Sequence, residues 1–339
     1  MMLQQMWVPA PPADGRASLE GRGDQVRPSR APRRGTRGCG CTAAVAPIVV
    51  LGLIALCMAG VVLVPGLLVP GDGGRTNLLL LGIDRRAGSG WAYRTDTILV
   101  VTVDPGGGPA GILSIPRDLQ LPIPGHGEDR INTANVLGSR PDDPHAGPAL
   151  LRATIEDNFG VPIDGYVMID FAAFVKIVDV LGGIDVEVPK ALHDTRYPDP
   201  RPGDPYAYKT VHFDAGAQHM DGTRAIEYAR SRMSTSDFDR AKRQQMILLA
   251  IRKQALSPEG IVHWPSAATT VLSSVKTDLE VAELAGLALL AARIDPDGLE
   301  QVVLEHPLVS SYRRADGAAV QLPNWELIRP VIKRLFGLR

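Results

Sequence analysis

The stretch "NLLLLGIDRRAGSGWAYRTDTILVVTVDPGGGPAGILSIPRD", residues 77–118, contains three short apolar runs separated by turn-forming sequence. The runs at 77–83, 97–103 and 111–115 have the length and aliphatic composition of β-strands. Both connections are shorter than the crossover that parallel neighbours need, and the second one, "DPGGGPA", is a strong turn signal. The sequence therefore predicts a three-stranded antiparallel meander.

Charged residues stand at one edge of this meander. In an antiparallel order, the end of strand one, the start of strand two and the end of strand three lie at the same edge of the sheet. The charged residues at these three points are Asp84 and Arg86, Arg94 and Asp96, and Arg117 and Asp118. We therefore expect acids and arginines from separate parts of the chain to come together there.

A second group of arginines lies in "YARSRMSTSDFDRAKRQQ", residues 228–245. We expect a helix over 221–229, followed by an extended segment in which Arg230 and Arg232 point to the same face. Because the planar guanidinium of arginine matches phosphate oxygens, such a converging pair favours a phosphorylated ligand, for example a pyrophosphate.

A long helix is predicted over 237–256, with Ser236 and Asp239 as a capping box at its start. On this helix Arg240 and Gln244 share a stripe with apolar residues one and two turns later, so a polar end leads into an apolar groove wall. The alternative is that these arginines, together with Lys242 and Arg243, belong to a solvated helix face and pair with Asp237 and Asp239.

The rest of the chain after residue 147 alternates between helical and strand patterns. Residues 189–212 are rich in Pro and Tyr, and we interpret them as a loop. The other predicted elements are helices at 148–159, 171–181, 266–275 and 281–293 and strands at 165–169, 184–188 and 299–305. The apolar helices 171–181 and 281–293 line a lipid pocket or belong to the core. We expect one α/β/α domain with helices on both faces of a mixed, largely antiparallel central sheet.

Residues 43–64 contain no charged side chain and, at ~1.5 Å per helical residue, are long enough to cross a hydrocarbon core of ~30 Å. Seven arginines precede this run against three acids, and such an excess of positive charge remains cytoplasmic. We expect a disordered cytoplasmic tail over 1–42, one transmembrane helix over 43–64, a linker over 65–76 and an extracytoplasmic domain over 77–339. A cleaved signal peptide is the competing interpretation, but the apolar run is longer than the apolar region of a typical signal peptide, and no small-x-small cleavage site clearly follows it.

Two of the edge residues, Asp84 and Asp96, are candidate metal ligands. Facing carboxylates repel each other unless a cation lies between them, and Mg²⁺ typically takes one or two carboxylates together with phosphate oxygens. Loop capping is the alternative role for both. The seven histidines lack the spacing of a metal site or a catalytic triad, and all three cysteines precede residue 58, so the domain has no disulfide. The sequence therefore favours Mg²⁺, or Mn²⁺ in its place, at this edge.

With these motifs the chain resembles the LytR-CpsA-Psr proteins, membrane-anchored bacterial enzymes that attach glycopolymers to the cell wall. The resemblance covers about residues 78–255, and the family's motifs occur there in the usual order and with the usual spacing. Its motifs are "LLLLGIDRR" (78–86), "RTDTILVVTVDP" (94–105), "SIPRDL" (114–119), "RINTANVLG" (130–138), "GYVMIDFAAFVKIVDVLGGIDVEV" (165–188) and "MDGTRAIEYARSRMSTSDFDRAKRQQ" (220–245).

The resemblance implies transfer of a phosphoglycan from an undecaprenyl pyrophosphate carrier to a peptidoglycan hydroxyl, with Mg²⁺ at the pyrophosphate and the polyprenyl chain in an apolar pocket. The implied catalytic residues are Asp84, Asp96, Arg94 and Arg117, of which the two aspartates also hold the metal. The residues implied around the phosphates are Arg86, Arg94, Arg117, Arg230, Arg232, Arg240 and Gln244. The segment 193–209 departs from the family pattern, and we expect it to shape specificity for the glycan or the acceptor.

Two other functions would use the same residues. One is a hydrolase that attacks the lipid-linked pyrophosphate with water, and the other is a non-catalytic wall-binding or regulatory protein. Direct regulation of DNA is disfavoured, because only the short arginine-rich tail would be cytoplasmic and its contacts with nucleic acid would be nonspecific. We therefore expect a lipid-linked glycan, peptidoglycan and the bilayer as partners, and no nucleic acid.

A reporter enzyme that works only outside the cytoplasmic membrane should be active when fused after Arg339, and one that works only in the cytoplasm should be silent there. The reason is that the arginine-rich tail keeps the N-terminus in the cytoplasm. Parallel fusions to an enzyme active only outside and to one active only inside measure this orientation. The same pair fused after Thr42 should give the opposite pattern. Activity of the cytoplasmic reporter at Arg339 would contradict the predicted compartment.

Overall fold

The computed structural model describes residues 74–83, 93–106, 108–201, 204, 207–231 and 236–338. The predicted tail, the predicted membrane span and most of the linker lie outside these residues, as do Asp84, Arg86 and Arg232. Across the described residues, no helix combines the length and the apolar character that crossing a bilayer requires.

The described strands form one large sheet and several two-stranded ones. In chain order they are β1 (Thr76–Ile83), β2 (Thr95–Val103), β3 (Gly111–Ser114), β4 (Gln120–Ile123), β5 (Gly127–Arg130), β6 (Gly165–Asp170), β7 (Ile184–Val188), β8 (Leu192–Pro198), β9 (Tyr208–Phe213), β10 (Gly216–Met220), β11 (Lys276–Thr277), β12 (Glu300–Val303), β13 (Val309–Arg313) and β14 (Ala319–Pro323).

The described helices alternate with these strands over most of the chain. They are α1 (Ile131–Gly138), α2 (Ala146–Phe159), α3 (Phe171–Val180), α4 (Gly222–Arg230), α5 (Asp237–Ala255), α6 (Pro258–Val262), α7 (Trp264–Ser274), α8 (Val281–Arg293) and α9 (Trp325–Phe336), with a short 3₁₀ helix at Pro296–Gly298.

The central sheet has the strand order β11-β6-β1-β2-β3-β12. The predicted meander is confirmed, since β2 pairs antiparallel with both β1 and β3, with Leu80 opposite Leu99 and Leu99 opposite Ser114. β6 joins β1 in parallel, β12 joins β3 in parallel, and the short β11 pairs antiparallel with β6. The sheet is therefore mixed and largely antiparallel, as the sequence predicted.

The two faces of the central sheet are covered to different extents. On the first face Leu79, Leu81 and Val100 are at most 1% exposed, and they pack against α1, α2 and α9 in the main hydrophobic core. On the second face several apolar side chains of the central strands remain partly exposed. These are Leu80, Val101, Val167 and Ile169. The second face is therefore an incompletely filled apolar surface.

Helices α5 and α8 pack over this second face. Gln245 of α5 donates from Nε2 to Ser114 Oγ of β3 at 2.8 Å. Leu287 of α8 forms a small apolar cluster with Leu78 of β1. Helices therefore lie on both faces of the sheet, as expected from the sequence.

A second core lies beside the sheet and contains the β7–β10 and β8–β9 pairs with α3, α4 and α5. The interpretation of 189–212 as a loop is wrong, because β8 and β9 form an antiparallel hairpin with His193 opposite His212. Tyr197 and Val211 are each 4% exposed and join this core. Outward charged side chains and the proline that ends β8 conceal the alternation in the sequence.

The remaining predicted helices and strands are present with ends shifted by one or two residues. Sequence reasoning missed the short hairpins β4–β5 and β13–β14, the strands β10 and β11 and the helices α1, α6 and α9. Helix α9 buries Ile328, Ile332 and Leu335 and completes the core on the first face of the sheet.

Gly222→Ala should lower the free energy of unfolding by about 1–3 kcal/mol, the usual cost of overpacking. A Cβ at Gly222, the first residue of α4, would lie 2.7 Å from Val175 Cα in the backbone of α3. Urea unfolding of the purified chain, followed by circular dichroism, measures the change as a lower midpoint at constant slope. Gly298→Ala is the matched control, because its Cβ would lie 3.8 Å from the nearest neighbour. Equal midpoints for the two variants would contradict the close contact of α3 with α4.

Candidate functional site

Arg117 and Asp96 form an ion pair at the predicted edge of the central sheet. Asp96 lies at the start of β2, and Arg117 follows the end of β3. Arg117 donates from Nη1 to Asp96 Oδ1, and its Nε lies 3.4 Å from Asp118 Oδ2. Burial disfavours the charge on Arg117, but Asp96 and Asp118 together outweigh this cost and raise the pKa of the guanidinium. The strand ends therefore bring Asp96 and Arg117 together as the meander predicts.

Arg130 extends this row of charges and was missed by sequence reasoning. It is the last residue of β5, and its Nη1 lies 3.6 Å from Asp118 Oδ1. The β4–β5 hairpin brings the two residues together, and that hairpin was not predicted. Asp118 therefore lies between Arg117 and Arg130. Arg117 is thus held by two carboxylates, those of Asp96 and Asp118.

Helix α5 brings Arg240 and Gln244 to the same edge. The predicted capping box is present: Asp239 N donates to Ser236 Oγ at 3.1 Å, and Ser236 N donates to Asp239 Oδ2 at 2.9 Å. Arg240 is 8% exposed, and its Nη1 lies 3.1 Å from Asp237 Oδ1. The cap fixes where the helix begins and therefore where Arg240 stands.

These side chains line one cleft between the start of α5 and the edge of the sheet, which we call the arginine cleft. The described residues that line it with polar side chains are Asp96, Thr97, Ser114, Arg117, Asp118, Asp237, Arg240, Gln244 and Gln321. Thr97 and Ser114 belong to the second face. Thr97 lies two residues before Leu99 on β2, and Ser114 pairs with Leu99, which on its other side pairs with Leu80. The arginine cleft therefore meets the partly exposed apolar face of the sheet.

Arg230 lies outside the arginine cleft, and its predicted extended conformation is wrong. It is the last residue of α4, because the amide of Ser231 still donates to a carbonyl one turn earlier. Arg230 donates from Nη1 to Tyr197 Oη at 3.1 Å, and its guanidinium carbon lies 4.0 Å from the centre of the Phe171 ring. Arg94 is exposed just before β2 and does not line the cleft either.

Arg243 has a structural role. It is 6% exposed, and it donates from Nε to the carbonyl of Tyr228 at 3.0 Å and from Nη2 to the carbonyl of Ser231. Burial lowers the pKa of its guanidinium. Lys242, in contrast, is exposed and pairs with Glu305 at 2.8 Å. The interpretation as a solvated helix face therefore holds for Lys242 and is wrong for Arg243.

Asp96 has one oxygen that a cation could use. Its side chain is 29% exposed, and Oδ1 accepts from Arg117, whereas Oδ2 makes no hydrogen bond with the described residues. Within those residues, no group of three or more His, Cys, Asp or Glu side chains is placed to hold a metal. Mg²⁺ commonly takes one or two carboxylates and completes its shell with phosphate and water oxygens. Asp96 fits that mode, and the predicted second ligand, Asp84, lies outside the described residues.

Comparison with known proteins identifies related chains. A model of the LytR_cpsA_psr family matches residues 69–333. Two relatives are each named a polyisoprenyl-teichoic acid–peptidoglycan teichoic acid transferase. TagV of Bacillus subtilis is 32% identical over 218 residues, which are 63% of this chain and 51% of TagV. TagU of Oceanobacillus iheyensis is 32% identical over 210 residues, which are 61% of this chain and 60% of TagU. The matched residues thus span about half the length of TagV and three fifths of the length of TagU.

Solved structures have the same fold. The crystal structure of B. subtilis TagV superposes with a TM-score of 0.64 at 26% identity and covers 79% of this chain and 100% of that one. A structure of TagT bound to LIIa-WTA superposes with a TM-score of 0.61 at 26% identity and covers 79% of this chain and 92% of that one.

Arg243→Lys should lower the free energy of unfolding by about 1–3 kcal/mol, because a lysine cannot satisfy both buried carbonyls that the guanidinium fork reaches. Urea unfolding of the purified chain measures this change. The control is the neighbouring Lys242→Ala, which removes an exposed ion pair and should change stability by less than about 1 kcal/mol. If Arg243→Lys were as stable as Lys242→Ala, the structural role of Arg243 would be excluded.

Proposed function

The chain belongs to the LytR-CpsA-Psr family, and from this premise we propose that it is a membrane-anchored transferase. It moves a glycopolymer from a polyprenyl pyrophosphate carrier to a hydroxyl of peptidoglycan on the outer side of the membrane, with residues 43–64 as its anchor. The observation that carries this proposal is the arginine cleft opening onto the partly exposed second face of the sheet. A lipid pyrophosphate needs both surfaces, one cationic and one apolar.

The apolar surface suits the polyprenyl chain. Leu80 lies on the central strand β1, where a side chain in a filled core would be fully buried, yet it is partly exposed, as is its neighbour Val167. Helix α3 is apolar along most of its length but buries only Ala173 and Val178 fully. A lipid chain lying against these elements would remove this apolar area from water, which favours binding. The names of TagV and TagU as polyisoprenyl-linked transferases support the same substrate class.

The cationic surface suits the pyrophosphate. Arg117 and Arg240 present guanidinium groups to the arginine cleft, and Gln244 adds an amide. Each arginine is already oriented by an aspartate, Arg117 by Asp96 and Arg240 by Asp237. Donors that are fixed before the substrate binds stabilise developing charge without further reorganisation. From the resemblance we also propose that Arg86, Arg94, Arg230 and Arg232 bind phosphate oxygens of the substrate.

The chemical step is a phosphoryl transfer. The acceptor oxygen forms a bond to the phosphorus that carries the glycan, the bond from that phosphorus to the bridging oxygen breaks, and polyprenyl phosphate leaves with the bond's electrons. Arg117 and Arg240 offset the charge that develops on the phosphate oxygens. The acceptor proton passes to a carboxylate or to solvent, and Asp96 Oδ2 is one carboxylate oxygen at this edge that could take it.

A bound Mg²⁺ would supply charge neutralisation at the pyrophosphate. Asp96 and Asp84 would hold it, together with phosphate oxygens. In this arrangement the ion pair with Arg117 orients the Asp96 carboxylate.

Arg117→Lys and Asp96→Asn should each lower the rate of transfer about 10²- to 10³-fold, the usual effect of removing one oriented group from a preorganised site. The full chain in detergent is given a polyprenyl-pyrophosphate-linked glycan, Mg²⁺ and peptidoglycan fragments. Both the glycan–peptidoglycan conjugate and free glycan phosphate are then measured. Asp96→Asn should also require more Mg²⁺ for half-maximal rate, whereas Arg117→Lys should not.

The matched control is Arg334→Lys, which alters an exposed arginine–carboxylate pair with Glu300 away from the arginine cleft. It should keep the wild-type rate. Free glycan phosphate formed at the same rate without acceptor would instead assign the site to a hydrolase. Wild-type rates of both products in Arg117→Lys and Asp96→Asn would refute the proposed site.

A further inference from the structure

A second cleft has no role in the mechanism described above. Helix α1 and the turn after it supply most of its lining, so we call it the α1 cleft. The described residues that line it with polar side chains are Tyr93, Asn135, Ser139, Arg140, Asp143 and Lys276.

Asn135 lines the α1 cleft and carries a buried acceptor without a partner among the described residues. The residue is 2% exposed, and its Nδ2 donates to the carbonyl of Tyr93 at 2.7 Å. Its Oδ1 has no hydrogen-bond partner among the described residues. Gly147 contributes to this arrangement, because a Cβ there would lie 2.9 Å from Asn135 Oδ1 and 2.7 Å from Ser139 Oγ. A buried acceptor without a partner is costly, so a ligand with a hydroxyl or amide donor would be favoured at this position.

Two cations stand at the α1 cleft on separate elements. Arg140 follows α1, and Lys276 begins the edge strand β11. Both are exposed, and neither side chain forms an ion pair or hydrogen bond with another described residue. Asp143, the acid in the lining, accepts a hydrogen bond from the amide of His145 at 2.8 Å. The two cations are therefore available to an anionic ligand.

Helix α1 connects this cleft to the arginine cleft. The amide of Asn132, in the first turn of α1, donates to the carbonyl of Arg117 at 3.2 Å, and Asn135 stands one turn later. Tyr93 precedes Asp96 by three residues, which is at most about 10 Å of extended chain. The two clefts therefore lie on either side of the start of β2, within reach of one oligosaccharide.

We propose that the α1 cleft binds an acidic saccharide, meaning a sugar with hydroxyl or N-acetyl donors and a carboxylate or phosphate. Asn135 accepts a hydrogen bond from the sugar, and Arg140 and Lys276 bind its acidic group. Pro141 and Pro144 provide rigid apolar walls for the ring. The inference rests on the proposed function, since it positions one of the two saccharide substrates beside the pyrophosphate. Both the lipid-linked glycan and the peptidoglycan acceptor carry this chemistry.

The double variant Arg140→Ala/Lys276→Ala tests the proposal, because both residues are exposed and their loss leaves the core intact. The full chain is assayed in detergent while the lipid-linked glycan and the peptidoglycan fragment are each varied in turn. The KM for one substrate should rise about three- to tenfold with kcat unchanged, as expected for two lost charge contacts in a solvated cleft. A rise for the fragment assigns the cleft to the acceptor, and a rise for the lipid-linked glycan assigns it to the donor. Unchanged KM values for both substrates would overturn the proposal.

The matched control is Lys190→Ala/Lys253→Ala, which removes two exposed cations outside the α1 cleft and should leave both KM values at wild type. Asn135→Leu should raise the same KM as the double variant, with its folding checked by urea unfolding. If Asn135→Leu does not fold, the double variant decides alone. A folded Asn135→Leu with wild-type KM values would remove Asn135 from the site.

A binding measurement separates this proposal from the proposed function. Isothermal titration of the full chain uses a soluble N-acetylated disaccharide with a free carboxylate and the same disaccharide with that group amidated. The wild type should bind the acid at least threefold more tightly, and the double variant should bind both equally weakly. If this difference appears while the wild type transfers no glycan, the transferase proposal fails and the α1 cleft stands. Equal binding of both disaccharides by the wild type would refute the cleft.

Discussion

The direction of the strands in the central sheet is the constraint on which the candidate site depends. β1, β3, β6 and β12 all end at one edge, and β2 begins there. This edge carries Asp96 and Arg117, and also Asp170, which caps α3 by accepting from the amide of Ala173 at 2.8 Å. Reversing any one strand would carry its charged end to the opposite edge. The arginine cleft is therefore a product of topology, to which α5 adds Arg240 from a distant part of the sequence.

The parts of this arrangement that follow from short connections were predictable. Turn-length links forced the meander, so Asp96 and Arg117 were placed correctly, and the pattern at Ser236 predicted the start of α5. The errors concern contacts between distant segments. Arg230 continues α4 and packs against Phe171 and Tyr197, and neither partner is visible from local spacing. Nothing in the sequence distinguishes buried Arg243 from exposed Lys242 beside it, because burial depends on which side of α5 meets the second core.

The arginines near this edge differ in what holds them. The guanidinium of Arg243, on α5, donates to the backbone carbonyls of Tyr228 and Ser231 and so links α5 to the end of α4. Arg117 and Arg240 are instead paired with aspartates, and both line the arginine cleft. The same region leaves Leu80 and Val101 incompletely covered. The apolar side chains are thus incompletely packed where the proposed substrate, with its charged head and apolar chain, would bind.

The two clefts also bear on the choice between transfer and hydrolysis. Water as the attacking group needs no binding surface beyond the arginine cleft itself. A saccharide acceptor must be held so that one hydroxyl faces the phosphorus, because orientation accounts for much of the rate of a reaction between two bound molecules. The α1 cleft offers an unpaired acceptor and two available cations on the far side of the start of β2. If this surface holds the acceptor, it orients the attacking hydroxyl and serves transfer alone. If it holds the donor glycan, it would serve transfer and hydrolysis alike.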